Sequence, residues 1–290
     1  MTDYLIKAID KTKNLRLLTV YAKDMVAEAQ RRHDTWSASS AVLGRTMIGG
    51  VLLAAAGLTE GQELTVRLLG DGPVGPTVVT AKADLTVKGY LRNPHIALPP
   101  KPNGHIDVKK AVGQGWLEVT KDIGLKQPYT GEVPITSGEI GEDFTYYLAK
   151  SEQIPSAVGV SVFVNPNNTI ATAGGFMLQA LPGASDSLIE EVTKRINDLP
   201  ALSTAFMDGM TPEDLAKKIL GDDCKILEKD DVAFKCDCSK EKYKNIMATL
   251  DRAQLKEMIE EDHGAELTCN FCGQKYNFSQ AELEEILKNR

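Results

Sequence analysis

Two stretches decide how this chain is read: FKCDCS (Phe234–Ser239) and ELTCNFCGQKYNF (Glu266–Phe278). Together they spell C-x-C, 30 intervening residues, then C-x-x-C. Zinc favours four ligands in a tetrahedron, and Cys thiolate is among its preferred donors. In the second pair, two intervening residues let a tight turn aim Cys269 and Cys272 at one point. Gly273 supplies the unusual backbone angle such a turn needs. In the first pair, residues i and i+2 of an extended segment project Cys236 and Cys238 to one side. The expectation is one zinc site of four ligands: Cys236, Cys238, Cys269 and Cys272. His263 is close enough in sequence to be an alternative ligand, but four cysteines already fill the set.

From the residues alone the site has two readings. One is a structural staple that only holds the C-terminal part together. The other is a redox site, since a disulfide across one intervening residue is geometrically demanding and therefore reversible. Zinc is redox-inert, so any redox response would belong to the ligands. The fifth cysteine, Cys224, lies outside the pattern beside Asp222 and Asp223, which raise a thiol's pKa, and reads as inert. All five cysteines lie beyond residue 223. Such clustering favours metal or redox chemistry over a disulfide framework.

Outward from the cysteines, residues 232–290 read as a small zinc-binding module. They offer a strand at Val232–Lys235, helices near Lys240–Leu250 and Arg252–Glu261, and a strand pair around Cys269–Cys272. A final helix starts at the capping-box sequence Ser279-Gln280-Ala281-Glu282. So few residues make a marginal core, for which a metal staple is expected. Residues 179–231 read as a helical linker. One helix is capped by Ser185 or Asp186, with Leu188, Ile189, Val192, Ile196 and Leu199 on its apolar face. A second starts at Thr211-Pro212 and ends at Gly221. Two short amphipathic helices make no core of their own, so they must lie on another domain.

Residues 1–178 read as an α+β core domain, a mixed sheet with packed helices. A long helix is expected over Asp34–Gly57. Strands are expected at Glu63–Leu69, Thr77–Ala83, Thr86–Leu91, Trp116–Thr120 and Thr130–Ile135. A helix over Asp143–Lys150 follows. Val158–Val164 and Thr169–Leu178 flank Asn165-Pro166-Asn167-Asn168 as a hairpin. The most apolar run, Met47–Leu58, is shorter than the roughly 20 residues of a membrane span and reads as a buried helix.

The bulk properties exclude several roles. The chain has 290 residues, 42% hydrophobic and 25% charged, with a formal net charge of -7, the balance of a soluble globular protein. That charge argues against a nucleic-acid binder and against an electrostatic membrane anchor. The polar N-terminus shows no secretory signal, so a cytoplasmic location is expected. The loop Gly70–Pro76 lacks the GK[ST] of a phosphate loop, and Gly174-Gly175 fits no nucleotide fingerprint. His33, Asp34, Trp36, Ser37, Ser39 and Ser40 read as a helix start with capping residues rather than a nucleophile site. No enzyme is expected.

These segments resemble the thirty-three-kilodalton heat-shock protein family, the redox-regulated bacterial chaperones. FKCDCS and ELTCNFCGQKYNF carry the resemblance, with HDTWSASSAVLGRTMIGGVLLA (His33–Ala54) and NPNNTIATAGGFMLQALPGA (Asn165–Ala184). The resemblance implies an ATP-independent holdase that is inactive when reduced and zinc-bound. It implies disulfides Cys236–Cys238 and Cys269–Cys272 on oxidation, with zinc release and unfolding of the C-terminal module. The linker then loosens and exposes apolar surface to unfolding client proteins, and the activated form is a homodimer. Two alternatives remain: a zinc-ribbon nucleic-acid-binding protein, and a thiol–disulfide oxidoreductase, which lacks a C-x-x-C at a helix start beside a βαβ pattern.

Overall fold

The hairpin that opens the fold is set by one carboxylate. Asp10 accepts hydrogen bonds from the backbone N–H groups of Thr12, Asn14 and Leu15, at 2.9, 2.8 and 2.8 Å. It thereby turns β1 (Tyr4–Ile9) into β2 (Leu15–Tyr21). The computed structural model describes residues 2–102 and 104–289. These form two compact units, divided between Lys235 and Cys236.

In the first unit the further elements are α1 (Lys23–His33), α2 (Ser37–Gly57), β3 (Glu63–Gly70), β4 (Thr77–Lys82), β5 (Thr86–Leu91), α3 (Val108–Val112), β6 (Gly115–Asp122), β7 (Tyr129–Pro134), α4 (Gly141–Lys150), β8 (Ser156–Val164), β9 (Ile170–Ala180), α5 (Asp186–Asn197), α6 (Leu202–Met207), α7 (Pro212–Leu220), β10 (Lys225–Asp231) and β11 (Ala233–Phe234). A five-stranded antiparallel sheet runs β10-β1-β2-β9-β8. A six-stranded sheet runs β11-β5-β4-β3-β6-β7 and is antiparallel except where β11 joins β5 in parallel. The architecture is α+β, as expected.

Helix α2 is apolar all round and is buried along nearly its whole length, as a helix between two layers must be. Ile48 reaches Gly175 of β9, while Gly50 faces Val66, Val79 and Ala81 of the six-stranded sheet. The resulting core joins Leu5, Leu18 and Val20 to Met47, Leu52, Val66 and Phe144. The approach of α4 is the tightest, since a Cβ at Gly49 would stand 2.0 Å from the Phe144 ring.

The five-stranded sheet has a second apolar face. Tyr4, Ile6, Ala8, Leu15, Leu17, Phe176 and Leu178 alternate with the residues that face α2. They pack with Val192 of α5, Phe206 of α6 and Leu215, Ala216 and Ile219 of α7. The segment 186–220 is thus the cover of a sheet face. Both helix starts use the caps their sequences offer: Ser185 accepts from Leu188 N–H, and Thr211 with Asp214 forms a capping box.

Some elements escape the sequence reading, which has no counterpart of β1, β2 or α1. The expected helix start at Asp34 belongs instead to the end of α1, where Asp34 is a left-handed C-cap at φ 50°. The serines after it are not caps, for α2 has no side-chain cap bond. Ser39 Oγ donates to Asn93 O at 2.7 Å, and Ser40 bonds Thr35 and Gln30. The cap of α1 comes from far away in the chain: Asp3 accepts from Met25 N–H at 2.6 Å and Asp24 N–H at 3.1 Å. Within residues 179–231, the stretch after α7 is a strand rather than helix. β10 has exposed residues throughout, so it carries no burial period to read, and its Lys, Glu and Asp side chains guard a sheet edge.

The second unit holds α8 (Lys240–Met247), α9 (Arg252–Glu260), the hairpin β12 (Gly264–Thr268) and β13 (Lys275–Ser279), and α10 (Gln280–Lys288). The Ser279–Glu282 capping box forms as expected. Its buried core is small: Met247, Leu255, Ile259, Phe278, Leu283 and Ile286.

Gly49→Val should overpack the α2–α4 contact and cost about 1–3 kcal/mol, read as a lower urea midpoint of the full chain. A second expectation concerns pH. Burial pushes the Asp3 carboxyl up from 3.8 to about 6, against the lowering effect of the Met25 and Asp24 N–H groups. The folded state therefore holds this proton more tightly than the unfolded chain, and the group's contribution to stability falls as pH rises from about 4 through 6. Asp3→Asn should flatten that slope in stability measurements across the same range.

Candidate metal centre

The β12–β13 hairpin builds half of the site. Its last pair is Thr268 with Lys275, and Cys269 and Cys272 occupy the turn between. Cys269 N–H donates to Gln274 O at 2.9 Å, and Gly273 N–H donates to Cys269 O at 2.8 Å. Gly273 sits at φ 72°, the left-handed conformation that closes the turn with both sulfurs on one side. The other half is the extended segment ahead of α8. Cys236 and Cys238 precede Ser239, which caps α8 by accepting from Lys242 N–H. Lys242 Nζ also binds the Asp237 carboxylate at 2.7 Å, between the two cysteines.

The four sulfurs converge. All lie within 4.8 Å of one another, with Cys236 and Cys269 at 3.8 Å and Cys238 and Cys272 at 3.3 Å. Four ligands about 2.3 Å from a central zinc would stand about 3.8 Å apart along the edges of a tetrahedron. The donor set therefore fits a metal ion of that kind, with every sulfur separation within about 1 Å of that edge. Cys269 and Cys272 are buried, and Cys236 and Cys238 are half-buried. His263 is not among the converging ligand atoms.

The electrostatics are those of crowded thiols. Burial pushes the Cys236 thiol up, reinforced by Cys238, Cys272 and Cys269 beside it. Burial likewise raises Cys272. Burial also acts to raise Cys269, but hydrogen bonds from the Tyr243 hydroxyl and the Phe271 and Cys272 N–H groups outweigh it and bring this thiol down to about 7. One sulfur is thus readily ionised while Cys236 and Cys272 resist, because burial and neighbouring sulfurs both oppose their ionisation. A cation removes that conflict by making ionisation favourable for all four.

Two residues at the site are missing from the sequence reading. Tyr276, on β13, donates its hydroxyl to Cys238 Sγ at 3.2 Å. Tyr243, in the first turn of α8, stands beside Cys269. Their rings lie 5.0 Å apart. An aromatic four residues beyond the Ser239 cap and another four beyond Cys272 are the signals that could have found them.

The other candidates lie elsewhere. Cys224 belongs to the first unit, packed against the apolar cluster under α5–α7, where burial raises its thiol. In Gly70–Pro76, the N–H groups of Gly72 and Val74 donate to Val112 O and Ala111 O, a turn seated on α3. Gly174 and Gly175 lie within β9, where a Cβ would collide with the Phe206 ring or with Gly159 O. Their role there is close packing.

Known proteins resemble this chain over nearly its whole length. The family model described as Hsp33 protein matches residues 3–279. The 33 kDa chaperonin of Lactobacillus acidophilus is 76% identical over 290 residues, covering 100% of this chain and 98% of its own. That of Latilactobacillus sakei subsp. sakei is 54% identical over 289 residues, covering 99% of each. The crystal structure of the 33 kDa chaperonin (heat shock protein 33 homolog) from Thermotoga maritima superposes with a TM-score of 0.93 at 36% identity, covering 100% of this chain and 99% of that one. A match of this extent in sequence and fold leaves one assignment: the chain belongs to the Hsp33 family of chaperones.

Proposed function

We propose that this chaperone is an ATP-independent holdase, switched on by oxidation of Cys236, Cys238, Cys269 and Cys272, with zinc as the metal of the reduced state. The observation that carries the reading is the convergence of four sulfurs in a unit whose own core is six buried apolar side chains. A zinc ion held there would contribute on the order of 10–16 kcal/mol of apparent binding energy, as much as the whole stability of an ordinary domain, about 5–15 kcal/mol. The chain's own part is to present the thiolates and to lose them. Each pair of thiols gives up two electrons and two protons as its S–S bond forms, and a peroxide takes them and becomes two waters. Disulfides no longer serve as thiolate ligands, so the small unit loses its main support. We assign the bonds as Cys236–Cys238 and Cys269–Cys272, the near neighbours in sequence.

The functional division we propose is a core of residues 1–178, a linker of 179–231 and a switch module of 232–290. Residues 179–231 are the natural conduit because they lead directly into the module and cover apolar surface. Under α5–α7 lie Ile6, Leu15, Leu17, Phe176 and Leu178, a face suited to unfolded chains once uncovered. The cover is also held by polar contacts. Glu213 of α7 accepts from the Tyr4 hydroxyl at 2.5 Å and from Lys229 of β10 at 3.0 Å. We further propose that the activated form is a homodimer, that the protein acts in the cytoplasm, and that it has no nucleic-acid, membrane or catalytic role. The net charge of -7 supports the first two of those exclusions.

Titrating the reduced, zinc-loaded protein with peroxide under mildly unfolding conditions should release zinc, remove four thiols per chain and suppress client aggregation together. Equal suppression by the reduced and oxidised forms would end the switch reading, and peptide mapping of the oxidised chain tests the two disulfides. Glu213→Ala should weaken the α7 cover by about 1 kcal/mol, a half-exposed ion-bonded contact being discounted for solvent. The check is about fivefold faster amide exchange in α7, with activation at lower oxidant.

A further inference from the structure

Zinc ligation leaves the two tyrosine hydroxyls at the sulfur cluster without a role. Tyr276 donates to Cys238 Sγ at 3.2 Å, and Tyr243 stands beside Cys269. Each cysteine pair therefore has a phenol beside one of its sulfurs, and Cys238 is hydrogen-bonded to its own. The two rings rest against one another, 5.0 Å between centroids and tilted by 32°. Through them α8, which follows the first pair, is joined to β13, which follows the second. Neither contact is local: Tyr276 is 38 residues from Cys238, so the bond exists only in the folded unit.

A phenol O–H pointed at a thiolate does two things. It fixes the direction of the sulfur lone pairs and stabilises the ionised ligand, as partners of metal-ligating groups do. It also engages electron density that an oxidant would otherwise meet, and thiolate nucleophilicity governs reaction with peroxide. In that reaction a thiolate sulfur attacks one peroxide oxygen, the O–O bond breaks and hydroxide leaves, giving a sulfenic acid. The second thiolate of the pair then displaces its hydroxyl as hydroxide, forming the S–S bond.

We propose that Tyr276 is a positioning residue that sets the oxidant threshold of the switch by bonding Cys238, with the Tyr243 ring packed against its own as support. The proposal rests on the zinc reading above. The Tyr276 hydroxyl holds the Cys238 thiolate for the metal and slows its attack on peroxide.

The test uses the full chain, reduced and zinc-loaded, with Tyr243→Phe, Tyr276→Phe and the double variant. Phenylalanine keeps the ring packing and removes only the hydroxyl. Zinc affinity is measured by competition with a chromophoric chelator, and zinc release is followed after peroxide addition. Tyr276→Phe and the double variant should bind zinc about 10-fold more weakly, the lower end of the 10–100-fold effect of outer ligand partners, and release it faster, while Tyr243→Phe, which keeps the ring contact, should leave both unchanged. The sulfur-to-metal absorption of the cobalt-loaded protein should shift as well. Site-specific 3-fluorotyrosine at 276, a stronger donor on the same ring, should slow release, which a packing role would not do. Unchanged affinity, release rate and cobalt spectrum in Tyr276→Phe would overturn the tyrosine assignment while leaving the zinc site standing. A wild-type chain that takes up no zinc would overturn both.

Discussion

A sheet whose strands are apolar on both faces has to be covered twice, and the first unit is organised around that constraint. On β1, Leu5 faces the α2 core while Tyr4, Ile6 and Ala8 face α5–α7. The same alternation runs along β2, with Leu18 and Val20 on one side and Leu15 and Leu17 on the other. The two covers differ in kind. α2 is apolar all round and enclosed between sheets, so exposing it would dismantle the core. α5–α7 are short amphipathic helices with solvent on their outer side, and their removal would leave the α2 layer intact. The fold thus keeps an apolar sheet face under a cover separate from the α2 core, and the proposed cycle would expose that face.

The second unit has the opposite problem: too little to bury. Six buried apolar side chains among some fifty residues are few for independent stability, and four thiols within 4.8 Å are a poor arrangement unless a cation joins them. Weak core and crowded sulfurs point the same way, toward stability that depends on a bound metal. In the proposed cycle, the ligand chemistry that makes zinc binding strong also makes the support oxidisable. Sensing and stability then reside in the same four atoms.

Much of this is legible in residue type and short spacing. The C-x-C and C-x-x-C patterns describe local geometry, a short extended segment and a tight turn with Gly273, and local geometry is what spacing encodes. The caps at Ser185, Thr211 and Ser279 are legible for the same reason, since a side chain and the N–H groups it binds lie within a few residues. The strands β3 to β9 show their β-branched residues between turn signals. β1 and β2 do not stand out, because burial on both faces removes polar alternation, and β10 does not because it is buried on neither.

Sequence alone thus identifies the four cysteines, their ligand chemistry and the family resemblance, all properties of residue type and short spacing. It does not reveal that Asp3 caps α1, that Glu213 ties α7 to Tyr4 and Lys229, or that Tyr276 bonds Cys238 with Tyr243 packed on its ring. Each of those contacts joins side chains brought together by sheet pairing or hairpin closure. The partners are ordinary surface residue types until the chain folds, and no local pattern marks them. What the cysteines are is written in their spacing; what holds them, and what their loss would release, depends on contacts made only in three dimensions.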